Sequence, residues 1–229
     1  MRSAADSRPP LHIFHIGKTG GTALNQTLLA HADESRYRLV FGGHTLTLHD
    51  VPAAEKFMFV IREPLERFVS AFNGRLREDR PRYHYPWRDE ERVAFALFKT
   101  PDELATALSS PDPEQRRQAE AAMHGIGHVN TPYSYWFDDD GSFDSRAPDV
   151  FFIGFTERLD DDFELLKPKL GLPAELRLPH DETNAHRTPA GFSTQLSDVG
   201  RANLERWYAR DIAFVGLCRR LAPTVNSPG

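Results

Sequence analysis

Three glycines, two threonines and a lysine stand together at Gly17-Lys18-Thr19-Gly20-Gly21-Thr22. These types in this order suit an anion. Glycines let backbone N–H groups come close to a guest, and a helix starting after them offers unpaired N–H groups and the positive end of its dipole. Lys18 adds a full charge, so a phosphate is the expected guest. Arg62 and Ser70 form a second candidate anion pair, a guanidinium capable of paired charge-assisted hydrogen bonds and a hydroxyl on the helix that follows. His44 is the candidate base, because imidazole titrates near neutrality. His128 is its rival, and reads more readily as a structural residue.

A Walker A loop needs a further glycine upstream of its G-K-[ST], where this chain has His12, and it places the lysine at the end of the loop rather than before a glycine pair. ATP chemistry of that kind is therefore disfavoured. A formal net charge of −5 argues against a general nucleic-acid binder, which carries a basic face. Cys218 is the one cysteine, which excludes an internal disulfide and a thiolate zinc site. No apolar run has the length of a membrane span and MRSAADSRPP has no hydrophobic signal region, so the expectation is a cytoplasmic protein without stable membrane insertion.

The elements that must hold these groups are readable from periodicity. Apolar runs at 11–16, 37–41, 57–61 and 150–154 have strand length, and the unbroken run 57–61 suits a strand buried on both faces. Leu24 and Leu28 place one helix after the glycine loop. Pro64 opens another, with Leu65, Phe68, Val69 and Phe72 on its apolar stripe. A helix over 159–170 is expected to kink at Pro168 and close at Gly171. Segments 89–99, 101–109 and 113–123 predict a helical insertion, the second opened by a Thr100/Glu103 capping box. Two closing helices are expected at 198–209 and 211–220. Residues 75–88 and 124–141 read as loops, and residues 1–10 as a disordered lead-in.

The resulting expectation is one α/β domain over 11–222, with a central, mostly parallel sheet, the insertion at about 89–123 and a frayed tail at 223–229. Gly17 to Thr22, Gly42 to His44 and Arg62 each follow a strand. In such sheets ligands bind at the carboxyl ends, so these groups are expected along one edge.

Ile16 to Thr22 resembles the 5′-phosphosulfate loop of sulfotransferases that use 3′-phosphoadenosine 5′-phosphosulfate (PAPS), and Arg62 to Phe72 resembles their 3′-phosphate element. The separation resembles the carbohydrate branch with the heparan and uronyl 2-O-sulfotransferases, as does Gly154-Phe155-Thr156-Glu157-Arg158-Leu159. The resemblance covers residues 11–72 and 150–187, with the middle poorly matched. It implies a P-loop-NTPase-like three-layer fold with no metal. Lys18 would stabilise the bridging and sulfuryl oxygens, and the loop N–H groups with the Thr22 hydroxyl would hold the 5′-phosphate. Arg62 and Ser70 would hold the 3′-phosphate, and Asn184-Ala185-His186-Arg187 resembles a segment that brings Arg187 near the nucleotide.

Phe41-Gly42-Gly43-His44 resembles in part that branch's His-Gly-His element, with Gly42 in place of the first histidine. The acceptor implied is a hydroxyl of a carbohydrate or glycoconjugate. Two alternatives stay open: a kinase on a diverged phosphate loop, and a non-catalytic nucleotide-binding protein.

Overall fold

Alternation along the third strand shows how the sheet is built. In a strand successive side chains point to opposite faces, so a run such as Phe57-Met58-Phe59-Val60-Ile61 is stable only if both faces are covered. The computed structural model describes residues 6–81, 83–138, 141–179 and 191–227. It has four strands, β1 (Pro10–Ile13), β2 (Arg38–Phe41), β3 (Lys56–Ile61) and β4 (Val150–Phe155). Its helices are α1 (Gly21–Ala30), α2 (Pro64–Leu76), α3 (Asp89–Leu97), α4 (Pro101–Ala107), α5 (Pro113–Gly125), α6 (Ser134–Phe137), α7 (Ser142–Arg146), α8 (Leu159–Leu170), α9 (Asp198–Trp207) and α10 (Ala209–Val225). The chain divides into two compact units, one of Met1–Ile61, Ser134–His180 and Gly216–Gly229, the other of Arg62–Tyr133 and Asp181–Val215.

The first unit is α/β. All strand pairs are parallel and the order is β2-β1-β3-β4. Met58 and Val60 pack in one cluster with Leu24 and Leu28 of α1 and Phe163, Leu166 and Leu170 of α8. Phe57 and Phe59 meet instead the rings of Phe137 and Phe143, with Phe59 to Phe137 at 4.6 Å between centroids. Every residue from Phe57 to Ile61 is consequently buried.

Pro10 already belongs to β1, and Arg8 before it is tied down by its guanidinium, which donates to the carbonyls of Ala32 at 2.8 Å and Ser35 at 2.9 Å. The lead-in expected over 1–10 is therefore structured from Arg8 onward. The expected first strand stops early, at Ile13; Phe14 keeps one bond to β3, its N–H donating to the Met58 carbonyl at 3.0 Å, before the chain turns into the glycine loop. Gly171 closes α8 at φ 76°, as a residue without Cβ does at a helix end.

At the chain's end α10 runs on to Val225, past both the helix end expected at Arg220 and the fraying expected from 223. Asn226 gives the reason. Its side chain accepts from the Ile153 N–H at 3.0 Å and donates to the Ile153 carbonyl at 2.8 Å, pairing two groups that the edge strand β4 would otherwise leave open.

The second unit is helical. Phe68 and Phe72 of α2, Phe95 of α3, Leu104 of α4, Met123 of α5 and Leu204 of α9 share one core. The capping box at Thr100 and Glu103 starts α4 as expected. The loop expected to begin at Arg75 instead follows Leu76, and Arg75 lies buried. It donates through Nε and Nη2 to Glu91, both at 2.7 Å, and through Nη1 to Asp79 at 2.7 Å. Charge on Glu91 is opposed by burial, but the Arg75 guanidinium and the N–H groups of Arg88 and Gly127 outweigh it and hold its pKa at about 2.

A folded pKa below the ordinary carboxylate value means stability that is full above pH 4.5 and is lost as pH falls toward 2. Glu91→Gln, which leaves the Arg75 charge buried without its main partner, is expected to cost ~3–5 kcal/mol at pH 7. Urea unfolding of the two proteins at pH 7 and at pH 4 checks this, with a smaller difference expected at the lower pH.

Candidate functional site

The direction in which successive strands are added reverses between β1 and β3. From β1 the chain crosses to β2 on one side, and from β3 to β4 on the other, so the carboxyl ends of β1 and β3 flank the topological switch point of the sheet. The glycine loop grows directly out of β1. Lys18 sits at φ 68° and Gly20 at φ 80°, while Thr19 between them is not left-handed. Alternation of this kind turns successive N–H groups to one side and makes a concavity for an anion. For lysine the left-handed region costs roughly 1–2 kcal/mol, so the surroundings must enforce it.

Two hydroxyls do so. Thr19, almost fully buried, donates to the Ile16 carbonyl at 2.9 Å and closes the turn from inside. Thr156, the first residue after β4, holds its hydroxyl 2.7 Å from the Thr19 carbonyl and 3.0 Å from the Ile61 carbonyl, sharing one proton between loop and β3. Two features favour glycine at position 20. Its φ is left-handed, and a Cβ there would meet the Leu159 Cδ2 at 3.3 Å.

Gly20 caps α1, and no side chain caps that end, nor is there an acidic residue in its first turn. The N-terminal N–H groups and the positive dipole end therefore face the loop with no carboxylate from the helix's own first turn beside them. Thr22 lies in that first turn and Lys18 is half-buried beside it in sequence. This unit thus brings Gly17, Lys18, Thr19, Gly20, Gly21 and Thr22 into one turn, a form that can hold a phosphate or sulfate group.

His44 joins them through His15. The Nδ1 of His44 lies 2.9 Å from the His15 carbonyl. A carbonyl only accepts, so Nδ1 carries the proton and the lone pair of the neutral ring is on Nε2. The two imidazoles lie against each other with centroids 4.1 Å apart, and Trp136 Nε1–H donates to the His44 carbonyl at 3.2 Å. His44 itself is exposed. Gly42 is fixed as glycine, since a Cβ there would fall 2.3 Å from the Leu46 Cβ. A histidine at 42 does not fit this turn.

His15 was not singled out from the sequence, where it is one more residue in an apolar strand run. Its ring edge lies along the start of α1, with Cδ2 3.4 Å from where a Gly21 Cβ would stand. Burial, and secondarily the neighbouring His44, push its pKa down to about 4. Thr156 was also missed as an individual residue, although the segment holding it carried a family resemblance.

In the second unit Arg62 directly follows Ile61 and precedes α2, whose first residue is Pro64. Its guanidinium lies 3.6 Å from Glu66, an exposed pair whose contribution is small. Glu66 and Ser70 are one helical turn apart on α2, so the carboxylate that Arg62 meets and the Ser70 hydroxyl share one face of that helix. Arg67 and Asn73, off the apolar stripe of α2, are buried as well. His128 lies in this unit, at φ 64°. Arg187 falls outside the described residues. Among the described residues no group of three or more His, Cys, Asp and Glu is placed to hold a metal ion, and no helix is long and apolar enough to cross a membrane.

His15 provides a test of this geometry. With a folded pKa near 4 against an ordinary 6.5, the unfolded chain binds the proton more readily, so stability tied to neutral His15 is full above pH 6.5 and is lost as pH falls toward 4. Phenylalanine at this position cannot titrate. Urea unfolding should therefore show the stability of the wild type falling relative to His15→Phe between pH 6.5 and 4.5, whereas parallel curves would contradict the half-buried neutral ring. Compared with family models, with curated proteins and with solved structures, the chain matches none.

Proposed function

We propose that this protein is a sulfotransferase that moves a sulfuryl group from PAPS to a hydroxyl of a carbohydrate or glycoconjugate, on a three-layer fold of the P-loop-NTPase-like kind. The observation that carries this reading is the turn at residues 16–21. It combines alternating backbone hand, a lysine and an uncapped helix start with an imidazole whose proton-accepting nitrogen is opposite its anchored one. PAPS supplies an electrophilic sulfur and a phosphate leaving group, and transfer forms an acceptor O–S bond as the bridging S–O bond breaks.

The chain's own residues do the rest by position and charge, as in phosphoryl transfer. N–H groups from Thr19 to Thr22, with the Thr22 hydroxyl, bind the 5′-phosphate. Lys18 neutralises charge growing on the bridging oxygen. His44 Nε2 takes the acceptor's proton. His15, neutral in the working range, supports the His44 ring without adding a second positive charge beside it. Arg62 and Ser70 bind the 3′-phosphate, the Glu66 carboxylate yielding the guanidinium to a stronger partner.

Titration calorimetry with adenosine 3′,5′-bisphosphate tests the reading directly. Binding without Mg²⁺ is expected, weakened by roughly tenfold or more in Lys18→Ala and in Arg62→Ala through loss of a charge-assisted contact. His44→Ala should bind the nucleotide as the wild type does while losing transfer to any acceptor that the wild type uses. Absence of binding at low salt, or ATP binding that requires Mg²⁺, would overturn the assignment in favour of a kinase or another nucleotide protein.

A further inference from the structure

Arg62 occupies an awkward place in the chain. It stands after the last residue of β3 and before the cap of α2, where neither ladder nor helix satisfies its backbone. One phenol supplies both bonds. The Tyr133 hydroxyl donates to the Arg62 carbonyl at 2.6 Å and accepts from the Arg62 N–H at 3.0 Å. A hydroxyl has one proton and two lone pairs, so this double engagement of a single residue uses its proton and one acceptor position. Fixing N–H and C=O together fixes φ and ψ of Arg62, and with them the direction in which its side chain leaves.

Tyr133 is itself held on all sides. It is 1% exposed, with the Arg67 guanidinium 5.0 Å above its ring and the Phe214 ring 5.6 Å away. Its own N–H donates to Asp211 Oδ1 at 3.1 Å, and Arg67 Nη1 donates to the Thr131 carbonyl at 2.8 Å. Arg67 and Asp211 are buried as well. Two buried charges would be a poor choice for stability alone, because burying ions is costly, whereas they suit a part whose orientation must not drift.

We propose that Tyr133 is a positioning residue for the 3′-phosphate of the nucleotide, acting through the backbone of Arg62. This rests on Arg62 as the 3′-phosphate ligand. Its consequence is selective: the phenol matters for ligands that carry a 3′-phosphate and is indifferent to those that do not.

The test measures the affinities of adenosine 3′,5′-bisphosphate and adenosine 5′-monophosphate for the wild type, Tyr133→Phe, Arg62→Ala and the double variant. Phenylalanine keeps the ring and its packing, and binding of the 5′-monophosphate reports that each variant is folded. In the wild type the bisphosphate should bind more tightly. Tyr133→Phe should weaken it about tenfold, with the 5′-monophosphate changed less than about twofold, and should have no further effect in the Arg62→Ala background. A wild type that fails to prefer the bisphosphate would sink the 3′-phosphate site and this proposal with it. A wild-type preference that persists in Tyr133→Phe would overturn the proposal alone, as would an equal loss for both ligands or an additive loss in the double variant.

Discussion

One hydroxyl, that of Thr156, joins the parts on which the first unit's site depends. It reaches the carbonyls of Thr19 and Ile61, and so ties the glycine loop to the end of β3 from the residue that follows β4. Thr19 needs that tie because its neighbours on both sides have left-handed backbones. Released, Lys18 would relax toward ordinary φ values and the N–H groups of the turn would no longer converge. The loop's shape is thus a property of three strand ends and a buried threonine, more than of its glycines.

The histidines show the same dependence. A glycine at 42 is enforced by Leu46, and the imidazole that stacks on His44 comes from His15, at the other end of the β1 loop. The His15 carbonyl accepts from His44 Nδ1–H, and the His15 ring lies against the His44 ring. Burial keeps His15 neutral, so it does not compete with His44 for the proton.

The helical unit solves a different problem. Two of its polar arrangements are buried and paired: Arg75 with Glu91 and Asp79 near the start of α3, and Tyr133 with the backbone of Arg62 at the start of α2. Both arrangements immobilise backbone at positions where helices begin or end. The first secures the unit's own stability, and the second sets the direction of a candidate ligand side chain.

The elements themselves were determined locally. Apolar runs, Pro64, Gly171 and the Thr100/Glu103 box fix where strands and helices lie, because side-chain periodicity, fixed proline φ and capping are short-range effects. The same holds for the anion-binding character of residues 17–22, which needs only glycines, a lysine and a helix start. Contacts between distant segments decided the rest. No local pattern tells that Thr156 bonds Thr19, that His15 faces His44, that Asn226 closes the edge of β4 or that Tyr133 holds Arg62, since each pairs groups far apart in sequence. Arg75 reads as loop for that reason: its charge favours exposure by itself, and Glu91, brought against it by the packing of α3 on α2, together with Asp79 makes its burial stable.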